Sequence, residues 1–168
     1  DFDNELVNLV MNYDISDVDF GDIGFAEEVL GDDDTYEVGM FEEKFIVIDR
    51  QSGEVRIEKD DDDGTIIYSC AETSERFLDA LWVAVRYFSL QLDEKLKDSD
   101  LETSQLKARQ CAEVAGSDDY YPFYEDFLKR MFFEILNVPT DEREIILSQK
   151  EIDIRFGKIP YLNGGLFR

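Results

Sequence analysis

The sequence has no histidine, two cysteines and only 17 Lys plus Arg among 168 residues. Each shortage removes a class of chemistry. Without His, this stretch can build neither a His-dependent triad nor a His-ligated zinc site. Cys70 and Cys111 give no zinc spacing and no disulfide framework, so they read as buried thiols of a cytoplasmic protein. The scarcity of bases argues against direct DNA binding, because affinity for phosphate comes from Lys and Arg displacing counterions. No apolar run reaches the roughly 18 residues a membrane span needs, so no membrane partner is expected. A phosphate loop and a Gly-x-Gly-x-x-Gly turn are both missing.

What the chain does have is acid. There are 41 Asp plus Glu, for a net charge of −24, alongside 43% hydrophobic and 13% aromatic residues. The apolar share predicts a folded core. The charge is uneven: residues 1–70 hold 22 acids and 4 bases, a net of −18, and residues 71–168 hold 19 acids and 13 bases, a net of −6. Three readings of this acidity stay open. It suits a salt-adapted surface, an acidic face that docks a basic protein such as a nuclease toxin, or metal binding.

The pattern predicts an α+β fold, with a small antiparallel meander of three or four strands followed by a helical half. Leu6, Val7, Leu9 and Val10 suggest a short helix, and Ala26 to Leu30 another, stopped at Gly31. Tyr36–Phe41, Lys44–Asp49, Glu54–Glu58 and Thr65–Ser69 read as strands, with turns at Arg50–Gly53 and Asp60–Gly64. From Thr73 the period becomes helical: Phe77, Leu78, Leu81, Trp82, Val85 and Phe88 form one stripe. A loop is expected over Lys95–Asp100. A second helix runs from Leu101 to Ala115, with Leu106, Cys111 and Val114 inward and Gly116 as its stop. Pro122 opens a third, ended by Asn137 and Pro139. Thr140 caps a short helix, and Glu151–Phe156 reads as a strand. The expected division is an acidic α+β region over 1–92 and a helical region over 93–168.

Candidate sites are few. Asp60 to Asp63 with Gly64 suggests a calcium loop, but Lys59 and Cys70 occupy positions where the EF-hand needs oxygen ligands; a solvated turn is the plainer reading. Glu42-Glu43-Lys44 has the Glu-x-Lys spacing of a metal-dependent nuclease, yet it precedes the apolar run Phe45–Ile48 instead of lying inside a core strand. Asn163-Gly164-Gly165 is first a turn signal, since successive glycines permit positive φ. The aromatics from Tyr120 to Phe133 suit core packing better than base stacking, as they fall at helical spacing. No catalytic, cofactor-binding or metal-ligating residue is assigned.

Two stretches resemble known families. YYPFYEDFLKRMFFEILNVP followed by RFGKIPYLNGGLF, within residues 118–168, resembles type IIG restriction–modification proteins, just upstream of their adenine-N6 DNA methyltransferase domain. The matching positions are Phe123, Tyr124, Phe127, Leu128, Phe132, Phe133 and Glu134, then Ile159, Pro160, Tyr161, Leu162, Asn163, Gly164, Gly165, Leu166 and Phe167. The resemblance implies a structural role for them, at a joint entering the methyltransferase domain. It also implies S-adenosylmethionine and Mg²⁺ as cofactors of the full-length parent, with none held here and DNA met only through other domains. The family's Asn-Pro-Pro-Tyr motif is missing from this stretch, so no catalytic role carries over. FIVIDRQSGEV and IIYSCAETSERFLDAL, within residues 36–92, resemble the SUKH superfamily of toxin-immunity proteins, through the turn Asp49–Val55 and the helix positions Phe77 and Leu78. That resemblance implies a binding module which neutralises a basic toxin through an acidic face. The first reading is therefore a non-catalytic restriction–modification fragment, and the alternative an immunity-type module.

Overall fold

Side-chain caps and turn chemistry set the boundaries of the elements. The computed structural model describes residues 4–13, 15–16, 22–93 and 101–136, with side chains left aside at 89–93, 101 and 132–136. Helix α1, Glu5–Asn12, begins where the Asn4 side chain accepts a hydrogen bond from the Val7 amide at 3.0 Å. Its Leu6, Val7, Leu9 and Val10 are buried, as the apolar spacing predicts.

Five strands follow: β1 (Ile23–Gly31), β2 (Thr35–Phe41), β3 (Lys44–Asp49), β4 (Val55–Glu58) and β5 (Ile66–Ala71). They form one antiparallel sheet in the order β1-β2-β3-β4-β5. Each turn has its own lock. The Asp49 carboxylate accepts from the Gln51 and Ser52 amides at 2.9 and 2.7 Å, and Gly53 takes φ +82°. Asp61 accepts from the Thr65 amide and hydroxyl at 3.1 and 2.9 Å, before Gly64 at φ +59° closes that loop.

The expected α+β class, a meander and then helices, is what the chain adopts. One element differs. Ala26–Leu30 is not a helix but the second half of β1. Its sequence, Ala-Glu-Glu-Val-Leu, favours a helix locally. Pairing with β2 overrides that preference, with a register shift between Phe25 and Leu30 that breaks the alternation a strand would show. The meander therefore has five strands, one more than expected.

Helices α2 (Ser74–Asp93), α3 (Leu101–Ala115) and α4 (Tyr121–Leu136) complete the fold, with a 3₁₀ turn at Asp118–Tyr120. Thr73 caps α2, its hydroxyl accepting from the Arg76 amide at 3.2 Å. Gly116, at φ +136°, ends α3 by donating to the Ala112 carbonyl at 3.0 Å. The α3 stripe is shifted from the expected one. Cys111 is buried, but Leu106 is 61% exposed. The inward face is made of Ala108, Cys111, Ala112 and Ala115, small side chains that a search for large apolar residues passes over. Sheet and helices share one core, whose largest fully buried members include Tyr124, Phe41, Phe77, Phe123 and Phe127. Each such ring contributes roughly 1.5–3 kcal/mol by leaving water. The expected loop Lys95–Asp100, the helix after Thr140, the strand Glu151–Phe156 and the segment Ile159–Phe167 lie outside the described residues.

Candidate functional site

Helix α4 carries the first part of the restriction–modification resemblance and packs against the sheet. Pro122 sits in its first turn, where no amide partner is needed. From there the chain delivers Phe123 and, about one turn on, Phe127 to the same face, stacked at 5.9 Å with an interplanar angle of 6°. Phe41 of β2 meets Phe123 edge-on at 5.3 Å, and Tyr68 of β5 does so at 5.9 Å. Phe77 of α2 closes the group at 6.1 Å. Phe123, Tyr124, Phe127 and Leu128 are all fully buried. Phe132, Phe133 and Glu134 belong to α4, but their side chains fall outside the description.

Polar bonds fix the helix in register. The Tyr124 hydroxyl donates to the Cys70 carbonyl of β5 at 2.7 Å. The Tyr68 hydroxyl donates to Asp126 at 2.8 Å, and burial together with that carboxylate pushes the Tyr68 phenol up to about 12. Arg130 donates to Asp126 at 2.8 Å one turn away. It also pairs with Glu42 in the β2–β3 hairpin, lies 3.8 Å from Asp22, and rests over the Phe41 ring at 5.8 Å. A second set joins the other end. Glu54 receives Arg56 at 2.7 Å and the Tyr120 hydroxyl at 3.3 Å.

These contacts explain the fate of the Glu-x-Lys triplet. Glu42 and Glu43 are the two turn residues between β2 and β3, and Glu42 takes φ +55°. Its carboxylate is held by Lys44 at 3.2 Å and by Arg130. Among the described residues, no group of three or more acidic or Cys side chains is arranged to hold a metal ion. The Asp60–Asp63 stretch is an exposed loop, in which Asp61 is occupied by Thr65. The thiols are no better placed for chemistry. Burial pushes Cys111 up to about 12 and Cys70 well above its ordinary value, so both stay protonated. Among the described residues, these contacts bind the helices to the sheet. Sequence reasoning missed Asp126, Arg130 and Tyr68. The Asp126–Arg130 spacing of four marks a helix pair, but nothing local announces that Arg130 reaches a hairpin 88 residues away.

The chain is 34% identical over 116 residues to a protein of Methanocaldococcus jannaschii named "Putative type II restriction enzyme and methyltransferase". The match takes in 66% of this chain and 9% of that relative, so the chain spans a small part of the relative's length. No family model matches, and no solved structure matches. The relationship is thus to a restriction–modification protein. Among the described residues no helix is long and apolar enough to cross a membrane.

Proposed function

We propose that this chain is a non-catalytic region of a type IIG restriction–modification protein, in which α4 carries the fold toward an adenine-N6 DNA methyltransferase domain. The observation that carries this reading is the identity with the Methanocaldococcus jannaschii protein. The burial of Phe123, Tyr124, Phe127 and Leu128 supports it, since it gives the motif a packing role. The whole protein would act on DNA in a cytoplasm, with S-adenosylmethionine as methyl donor and Mg²⁺ for any cleavage. No described residue is offered as a ligand for either. The −24 charge fits a salt-adapted source and leaves DNA contact to other parts of the polypeptide.

The coding sequence around this stretch tests the reading. An Asn-Pro-Pro-Tyr codon run downstream is expected, and a stop codon directly after Arg168 would sink it. Incubation of the chain with labelled S-adenosylmethionine, Mg²⁺ and mixed DNA is expected to give neither methylation nor cutting. Activity that survives repurification and disappears in Glu42→Ala would contradict the non-catalytic assignment.

The acidity of residues 1–70 favours a second reading, a SUKH-like module that neutralises a basic toxin by charge and shape. It predicts a free-standing gene beside that of a basic nuclease, with no methyltransferase motifs in the same frame.

A further inference from the structure

The sheet has a second face. Strand pairing places Gly24, Met40, Phe45, Glu58 and Ile66 side by side in one row. The next row on that face holds Leu30, Glu37, Val47, Arg56 and Ser69. The helices pack on the opposite face, against Phe41, Ile46, Ile48, Val55 and Ile57. Val47 is 4% exposed yet stands outside that core, while Met40, Ile66 and Leu30 are 41, 50 and 55% exposed. Met40, Phe45 and Val47 thus form an apolar patch at the middle of this face, with Ile66 beyond Glu58 and Leu30 beyond Glu37, and no described helix covers it.

Acids are interleaved with these apolar positions. Glu37 lies between Leu30 and Val47 and Glu58 between Phe45 and Ile66, and both carboxyls are raised from their ordinary value. Burial is the first cause for each. The charges of Asp32 and Asp60 add to it for Glu37, and those of Asp32, Asp49 and Asp61 for Glu58, where Arg56 works in the opposite direction. Arg56 is the cation of these two rows, and it is already engaged by Glu54 at 2.7 Å and Asp49 at 3.0 Å. The geometry points to a docking surface for a basic amphipathic helix from outside this chain: aliphatic side chains on Met40, Phe45 and Ile66, with interleaved Lys or Arg reaching Glu37 and Glu58. Long basic side chains suit this task, because their stems cover apolar surface while their heads reach the acids. A second copy of the chain is a poor occupant, since each carries −24. Nucleic acid is a poor one for the same reason. The face is present whether the chain acts within a restriction–modification protein or as an immunity-type module.

The test titrates the full ¹⁵N-labelled chain with a synthetic Leu/Lys amphipathic helical peptide at about 0.15 M salt, where surface charges are already partly screened. Saturable shifts are expected at the amides of Met40, Phe45, Val47 and Glu58. Met40→Lys with Ile66→Lys should weaken binding about tenfold or more, that is by about 1.4 kcal/mol or more. Leu106→Lys, on the exposed side of α3, should leave it unchanged. A Leu/Glu peptide should not bind. Equal affinity for an Ala/Lys peptide would reduce the effect to charge alone and overturn the proposal. So would shifts confined to the helical layer, or no binding. A soluble paramagnetic agent should reach Met40 and Ile66 in the free chain. Shielding there would mean the chain's own residues fill the face, and a dimer abolished by Met40→Lys would mean a second copy does. Either result overturns the proposal.

Discussion

The hydroxyl of Tyr124 lies 2.7 Å from the carbonyl oxygen of Cys70, joining α4 to β5 across 54 residues of sequence. Both residues are fully buried, so the bond has no water to replace it. Tyr124→Phe keeps the ring and removes the donor, leaving the Cys70 carbonyl without that partner. A loss of about 1–3 kcal/mol is expected from urea unfolding. Tyr124→Ala adds the cavity of a missing ring and should bring the total to about 3–5 kcal/mol. Equal losses for the two variants would show that packing contributes nothing at this point.

Glu42 presents a conflict between backbone and side chain. Its φ of +55° is one that a side chain disfavours, by about 1–2 kcal/mol. Its carboxylate nevertheless holds Lys44 and Arg130 together. Partly exposed pairs of this kind stabilise by about 0.2–1 kcal/mol each. Glu42→Ala keeps the strained backbone and loses the pairs, so it should destabilise. Glu42→Gly loses the same pairs but relaxes the turn, and should be more stable than Glu42→Ala by about 1 kcal/mol. Chemical denaturation of the two variants side by side decides it. If Ala is the better residue, the turn is not strained.

Stability should pass through a maximum on the acid side of neutrality. The raised carboxyls of Glu37 and Glu58 hold protons more tightly in the folded chain than at their ordinary 4.5. Their contribution is complete below that value and is lost as pH rises through the folded pKa. Asp32, Asp49 and Asp61 behave oppositely. Backbone amides, chiefly those of Thr35, Ser52 and Thr65, lower their carboxyls beneath 3.8. Their contribution holds above 3.8 and disappears as pH falls through the folded pKa. Urea midpoints followed from neutrality down to about pH 3 should rise first and then fall. Glu37→Gln combined with Glu58→Gln should flatten the rise and leave the fall. A monotonic decline in the unmodified chain would refute the opposing pair of effects.

Much of the fold was written locally. The meander announced itself through Asp49 with Gly53 and Asp61 with Gly64, where an Asp side chain and a positive φ do the turning within a few residues. Helices α2 and α4 were legible because large apolar residues recur at their period. The misreadings share a cause. Ala26–Leu30 has a helix's composition, and only the neighbouring strand makes it extended. Leu106 looked like a core position because the true inner face of α3 is built of alanines. The candidate site was less legible than the fold. Phe123 and Phe127 were marked by their spacing, but the reach of Arg130 to Glu42 and of Tyr68 to Asp126 exists only after folding.

Two glycines on neighbouring strands give the sharpest test of the sheet itself. Gly39 of β2 lies opposite Phe25, and a Cβ added to it would strike the Gly24 carbonyl oxygen and stand 3.1 Å from the Phe25 Cα. Both obstacles are backbone, so no rotamer change can clear them. Gly39→Ala has to push β1 away from β2, in the stretch before the register shifts. Such overpacking should cost about 1–3 kcal/mol. Gly24 is the control. It sits across from Met40 on the outer face, and a Cβ there would meet nothing within 4 Å. Gly24→Ala should stay within about 0.5 kcal/mol of the parent, or gain slightly, because Ala loses less backbone entropy than Gly on folding. The pair also discriminates by location. Hydrogen exchange in Gly39→Ala should quicken first at the β1–β2 amides and leave β4 and β5 protected. If both substitutions prove neutral, β1 does not approach β2 this closely at Gly39.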